Sequence, residues 1–321
     1  MTLFDGIKII PKVDMHINLT SSISTNLAFD LNSDSNIVEI IDKMQEKNYL
    51  DYENSLKLPI KILRSSKNLI VAVNDLIDRL IKNNVIYGEL FLDLPLYNKK
   101  IDEEKVLLTI LDVISSRNYN LQVVLVLSSE KEKEDNLHTL EIFEKYYNSG
   151  VNGIYFYKDK MANLNDYMYL FDRLIRNNYP YIIPINSKLL SSEEDIYFHA
   201  KRIIYQLPYK DDNFLLEVRK NNILLEFSLS RFIERNIISD IKNYFLYDYL
   251  KENGNFTITS SDMTTLNTDI INEWCLFFNN YPLVLHDLIK VTNNSLINAN
   301  IDNTIKEKLI DELKNKTDEI L

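Results

Sequence analysis

Apolar residues recur along the chain in two alternating patterns. Short, almost unbroken apolar runs such as Leu121 to Ser128 and Tyr181 to Asn186 are bounded by Asn, Ser and Pro. Runs of that length without polar alternation read as strands buried on both faces. Between them lie stretches such as Ser66 to Lys82, where apolar residues return every three or four positions, the spacing of one helical face. Eight strands are predicted: Lys12 to Asn18, Val85 to Leu92, Leu121 to Ser128, Gly153 to Phe156, Tyr181 to Asn186, Arg202 to Tyr205, Ile223 to Phe227 and Asn255 to Ser260. Helical patterns over Asp102 to Ser116, Asn136 to Tyr147, Leu164 to Arg176, Asp211 to Lys220 and Ser239 to Glu252 separate them. This alternation implies a parallel sheet covered by helices. Eight repeats predict an α/β fold, a closed (β/α)8 TIM barrel, as one domain over residues 1–321.

Two departures from a plain barrel are visible. Residues 19–84 separate the first two strands, far more than one crossover needs, and carry helical patterns at Asn36 to Lys47 and Ser66 to Lys82. Long insertions after barrel strands commonly wall the catalytic face. Patterns at Thr268 to Phe278, Leu283 to Asn300 and Thr304 to Thr317 supply one barrel helix and two extra C-terminal helices.

Composition narrows the chemistry. The chain has 5 Gly in 321 residues, where ordinary usage of ~7% would give several times more, so glycine-rich phosphate loops are disfavoured. Asn is abundant instead, and the pairs Asn83-Asn84, Asn177-Asn178 and Asn221-Asn222 each stand between a helical pattern and a strand, where they serve as helix stops. A formal net charge of −11 without a basic cluster argues against nucleic acid as partner. The lone Cys275 permits no internal disulfide, which fits a reducing compartment. With no leader-like N-terminus and no apolar run long enough to span a bilayer, a cytoplasmic protein without membrane association is expected.

Barrel chemistry collects at the C-terminal strand ends. In Val13-Asp14-Met15-His16-Ile17-Asn18, His16 and Asn18 share one side of the strand. The imidazole suits a metal, whereas the Asn18 amide binds zinc weakly. His138, His199 and His286 fall on helical patterns and read as surface or core residues, and Trp274 and Cys275 read as packing. Glu89 on the second strand either faces the pocket or forms a structural ion pair.

Pro11 to His16 resembles the opening strand of the adenosine deaminase family, zinc-dependent (β/α)8 barrels of the amidohydrolase superfamily. Tyr87-Gly88-Glu89-Leu90-Phe91 with Pro95 resembles its second strand, Gly150 to Ile154 its approach to the fourth, Leu225-Glu226-Phe227 its seventh, and Phe256 to Met263 followed by Asn294-Ser295 its eighth strand and closing helices. The resemblance implies a zinc site, of whose ligands only His16 remains. Asn18 stands for the second histidine, Ile185 for the strand-five histidine and Ser261 for the metal aspartate. The proton-shuttling glutamate falls on Lys188, the water-activating histidine on Tyr205, the ribose-contacting aspartate on Thr20 and the purine-approaching glycine on Lys158; Asp262 alone keeps its type.

Hydrolytic deamination needs a Lewis acid to lower the pKa of water and a carboxylate to carry the proton. The expected pocket therefore comprises His16, Asn18, Thr20, Glu89, Lys158, Ile185, Lys188, Tyr205, Ser261 and Asp262, with no metal, no cofactor, and only relics of catalytic positions at Lys188, Tyr205 and Asp262. Lys188 is expected to pair with Asp262 in the place of the lost zinc charge. The functional expectation is an adenosine deaminase-like pseudoenzyme retained to bind a purine-like small molecule or a protein partner. The alternative is a divergent metal-dependent hydrolase that deaminates adenosine, adenine or a related purine. The glycines that such a pocket would use at its turns are replaced by Ser21, Lys158, Ser187, Ile204 and Gln206.

Overall fold

A computed structural model describes residues 2–32, 36–45, 52–97 and 101–318. In chain order its elements are α1 Leu3–Ile9, β1 Lys12–Asn18, α2 Thr25–Leu31, α3 Ile37–Met44, α4 Tyr52–Leu63, α5 Ser66–Lys82, β2 Val85–Leu92, α6 Glu103–Arg117, β3 Leu121–Ser128, α7 Lys133–Tyr146 and β4 Val151–Tyr157. There follow α8 Met168–Arg176, β5 Tyr181–Ile185, α9 Glu194–Phe198, β6 Arg202–Tyr205, α10 Asp212–Lys220, β7 Leu224–Phe227, α11 Leu229–Glu234, α12 Leu246–Lys251, β8 Phe256–Ile258, α13 Ile270–Asn280, α14 Leu285–Asn298 and α15 Asn303–Asp318.

The eight strands form one parallel sheet in sequential order. An isolated parallel bridge between Ile17 and Ser261 brings its edges together, so this is a (β/α)8 barrel. The predicted strands fall on the observed ones, with β4 longer at both ends, β8 shorter at both ends, and β5 and β7 each one residue shorter than predicted. Each strand is walled on both faces: Val85–Leu92 is buried throughout. Outside it, α5 lays down Leu69, Val73, Leu76, Ile77 and Leu80, the face its periodicity predicted. Inside the barrel, Phe91, Val124, Val126, Tyr155, Ile182 and Ile204 pack together.

Five helices, α1, α2, α4, α9 and α11, were not foreseen. Four have seven residues or fewer, too short to show a helical period, and α4 contains Pro59, a helix-breaking signal. α1 is held by a capping box between Thr2 and Asp5. The pattern at Asn36 to Lys47 becomes α3, with residues 46 and 47 outside those described.

The asparagine punctuation is realised in the backbone. Asn84, Asn178 and Asn222, the second member of each pair, adopt φ of 56°, 52° and 51°, the left-handed conformation that glycine ordinarily supplies and asparagine tolerates. None of Ser21, Lys158, Ser187, Ile204 or Gln206 has positive φ, so the pocket turns do not need glycine for their conformation. Among the described residues no helix is long and apolar enough to cross a membrane.

Candidate functional site

β1 and β8 meet at the C-terminal mouth of the barrel. Ser261 donates its backbone N–H to the His16 carbonyl at 2.9 Å and accepts from the Asn18 N–H at 3.0 Å. Ser261 itself has φ of 58° and is fully buried. A non-glycine residue held in the left-handed region marks a place where surrounding contacts outweigh local strain. The following residue, Asp262, becomes the hub of the mouth.

Asp262 is completely buried. Its Oδ1 accepts from Asn18 Nδ2 at 2.6 Å, Ser21 Oγ at 2.7 Å and Tyr52 Oη at 3.3 Å. Its Oδ2 faces Arg231 Nη2 at 3.0 Å and Arg235 Nη2 at 3.6 Å. Burial alone would raise this carboxyl; the two guanidiniums and the Ser21 hydroxyl outweigh it and hold Asp262 well below the usual carboxylate range. The Arg235 guanidinium also lies over the Tyr52 ring, 4.6 Å from its centroid. Tyr52 opens α4, so the insertion after β1 does reach the mouth.

A second chain of charges begins at His16. Its Nδ1 lies 2.5 Å from Glu226 Oε1, and its ring stacks on Phe91 with centroids 3.7 Å apart. Glu226 Oε2 lies 3.0 Å from Arg202 Nε. Arg202 Nη2 donates to Glu89 Oε2 at 2.8 Å and to the Met15 carbonyl at 2.7 Å. Glu89 Oε1 in turn accepts from Tyr87 Oη at 2.8 Å. His16, Glu89, Arg202 and Glu226 are all buried. Burial pushes Glu226 up, but His16 and Arg202 more than compensate and leave it below its ordinary value. Glu89 is thus a structural ion-pair partner inside the barrel. Beside the chain, Asp14 accepts from the Ser260 N–H and hydroxyl, yet burial still lifts its carboxyl to about 7.

Several expected pocket residues stand elsewhere. Ile185 and Tyr205 are paired across β5 and β6 and share the strand face that packs under the outer helices with Ile183, Ile203 and Phe227. Tyr205 is ringed by Phe214, Phe227 and Phe245 and donates to the Tyr209 carbonyl at 2.9 Å. The inward positions are their neighbours, because side chains alternate along a strand: Ile182 and Ile204 line the interior, which places Asn186 and Gln206 on the mouth side. Lys188 is exposed on the loop after β5. Asp262 takes its cations from Arg231 and Arg235 instead, which overturns the expected Lys188 pairing. Thr20 is buried with its hydroxyl 2.8 Å from Tyr97 Oη. Lys158 is buried at the end of β4, its carbonyl accepting from Asn186 Nδ2 at 2.9 Å.

Besides Asn18, contacts to Asp262 come from Arg231, Arg235, Tyr52 and Ser21, which sequence reading did not mark as binding groups. Glu226 was recoverable, since strand alternation from Leu225 points it inward. Arg231 was not, because an arginine two residues into a short helix ordinarily reads as surface.

The fit of a zinc ion can be judged from these donors. His16 Nε2 is buried without a hydrogen-bond partner, a suitable imidazole ligand. Asn18 spends its amide N–H on Asp262, Asn186 and Ser261 offer neutral oxygens, and Asp262 is bound to a guanidinium. Among the described residues no group of three or more His, Cys, Asp or Glu is arranged to hold a metal. A dication ~4 Å from the Arg231 guanidinium would be repelled by roughly 8 kcal/mol at an effective dielectric of ~20. One imidazole does not offset that, so the residues present do not fit the ion.

The architecture and mouth define a class: a (β/α)8 barrel of the amidohydrolase type with a buried Asp262–Arg231 pair at its C-terminal mouth. Residues 11–316 match the model of the adenosine deaminase family, described as "Adenosine deaminase", and the chain belongs to that family. It is 20% identical over 323 aligned positions to the adenosine deaminase of Clostridium kluyveri, covering 92% of this chain and 91% of the relative. With an adenosine deaminase of Clostridium botulinum strain Okra it shares 24% over 296 positions, 83% and 86% of the two chains. Among solved structures, Arabidopsis ADAL complexed with IMP superposes with a TM-score of 0.85 at 15% identity, covering 98% of this chain and 99% of that one. The adenine deaminase of Arthrobacter aurescens gives 0.83 at 12% identity, with 96% and 99% coverage. At such identities these structures establish the shared fold.

Proposed function

We propose that this protein is a non-catalytic member of the adenosine deaminase family that retains the barrel mouth to bind a purine-like small molecule. The observation that carries the reading is the commitment of Asp262: its carboxylate is engaged by Asn18, Ser21, Tyr52 and Arg231. A carboxylate so paired is a poor base for a hydrolytic water. With His16 Nε2 as the mouth's free imidazole nitrogen, the Lewis acid that deamination requires has too few donors.

Purine ligands are the natural probes, since Arabidopsis ADAL is complexed with IMP in one structure and GMP in another. Titration calorimetry with IMP, GMP, inosine and adenosine is expected to show saturable one-site binding by at least one of them. Binding should weaken at least tenfold in Arg231→Met. Absence of binding by the whole series would remove the purine-like ligand and leave a protein partner as the use of the barrel. The competing reading, a divergent deaminase of adenosine, adenine or a related purine, draws on the names of the relatives and on the free His16 Nε2. It requires turnover by metal-supplemented protein.

A further inference from the structure

We infer that Glu273 is the positioning residue of the barrel mouth: from α13 it ties the helix that carries Arg231 to the loop that begins at Asp262, and so holds that pair in register. Its consequence for binding rests on the mouth being a ligand site, as proposed above; the tie itself is a matter of contacts.

Glu273 is fully buried on α13. Its Oε2 accepts the Leu229 N–H at 2.7 Å, and the Ser230 nitrogen lies 3.3 Å from both carboxyl oxygens. These are the first two N–H groups of α11, which a helix leaves without internal partners. Ser228, the residue placed to cap them, makes no such bond with its side chain. The cap of α11 therefore comes from another helix. Glu273 Oε1 also accepts from Thr268 Oγ1 at 3.1 Å, and Thr268 Oγ1 accepts from Ser230 Oγ at 3.2 Å.

These contacts close a ring. Asp262 opens the loop after β8; its carbonyl accepts the Leu266 N–H at 2.9 Å, and the Met263 carbonyl accepts the Thr268 N–H at 2.8 Å. Thr268 leads to Glu273, Glu273 to the first turn of α11, and Arg231 in that turn returns to Asp262 Oδ2 at 3.0 Å. Both members of the ion pair are thus referred to one carboxyl group. The other anchors of α11 are apolar: Leu229 and Phe232 are buried, the latter against Phe227 and Tyr244. Apolar burial is non-directional and tolerates rotation of a short helix about its axis, whereas hydrogen bonds weaken steeply when misaligned. Glu273 therefore sets the rotation of α11, and with it the point at which the Arg231 guanidinium meets Asp262.

The test is hydrogen exchange of the full-length protein, read by mass spectrometry on peptides covering residues 229–236 and 262–269, which needs no ligand. Glu273→Ala is expected to speed exchange of both segments about tenfold, while residues 121–128 of β3 stay within about twofold of wild type. Glu273→Gln can still accept from Leu229 and Ser230 with its amide oxygen and donate to Thr268 with its nitrogen, and is expected to restore protection in both segments. Binding of whichever of IMP, GMP, inosine or adenosine the wild type takes should weaken about tenfold in Glu273→Ala. In the Arg231→Met background the same change should shift that affinity by no more than about twofold, because its effect passes through Arg231. Should Glu273→Ala not fold, Thr268→Val, which removes one hydroxyl from the ring, is expected to speed exchange of both segments about threefold and decides in its place. A Glu273→Ala variant that unfolds at lower urea yet exchanges like wild type at 262–269 would mark a packing residue and overturn the inference, as would failure of Glu273→Gln to restore protection. A wild type that binds none of the four purines would remove the ligand reading of the mouth, while exchange would still decide the role of Glu273.

Discussion

The amide of Ser261 donates to the carbonyl of His16 at 2.9 Å while Ser261 sits at φ 58°, so one peptide both joins β8 to β1 and turns Asp262 into the mouth. Seam and site are built from the same residues, and changes at the seam should be felt in the site.

Ser261→Gly removes the side chain from a left-handed position, so unfolding stability should stay within about 1 kcal/mol of wild type. Ser261→Val places a β-branched residue there and should cost about 2–4 kcal/mol, combining backbone strain with crowding in a fully buried position. Urea unfolding midpoints with unchanged slopes measure both. A valine variant as stable as the glycine variant would show that no strain resides at Ser261.

Arg202 bridges Glu89 and Glu226 inside the barrel at 2.8 and 3.0 Å. Arg202→Met alone leaves two buried carboxylates without their shared cation and should cost about 3–5 kcal/mol. Combining it with Glu89→Gln and Glu226→Gln removes both orphaned charges and should recover at least half of that loss. Denaturant unfolding of the single and triple variants gives the comparison; a triple variant no more stable than the single would rule out charge imbalance as the cause.

The pH dependence has a definite sign. Asp14 and Glu273 are both lifted by burial to about 7, so the folded protein binds protons that the unfolded chain has released between about pH 4 and 7. Their contribution is fully present below pH 4 and is lost as pH rises toward 7. Asp262 and Glu226, held below their ordinary values, act in the opposite sense and lose their contribution only in acid. Wild-type melting temperature should therefore fall from pH 5 to pH 7.5. Unfolding free energy measured by urea denaturation should fall over the same interval, and in Asp14→Asn, which mimics the protonated acid toward Ser260, it should fall by about 2 kcal/mol less than in wild type. Equal slopes would contradict the buried-acid assignment.

The barrel was legible because its signals are local and repeated: apolar runs, helical periodicity, and asparagine pairs whose second members take the left-handed conformation at Asn84, Asn178 and Asn222. The mouth was legible only in part. His16, Asn18, Ser261 and Asp262 lie where the opening and closing strands were expected to bring them together. Ile185 and Tyr205 did not, since one residue of register reverses which face a side chain takes. Lys188 was given a role that Arg231 fills, because which loop cation folds inward depends on tertiary packing after β7, and neither residue carries that in its local sequence.

The central claim, that this adenosine deaminase family barrel binds without deaminating, is tested most directly by one assay. Purified protein, supplemented with zinc and then desalted, is incubated with adenosine, adenine, AMP and N6-methyl-AMP while ammonia release and bound zinc are measured together. The account predicts less than 0.1 equivalent of retained zinc and ammonia release indistinguishable from buffer, at the approximate detection limit for a site with one free imidazole. Stoichiometric zinc with multiple turnovers of any one substrate, both abolished by His16→Ala, would contradict it.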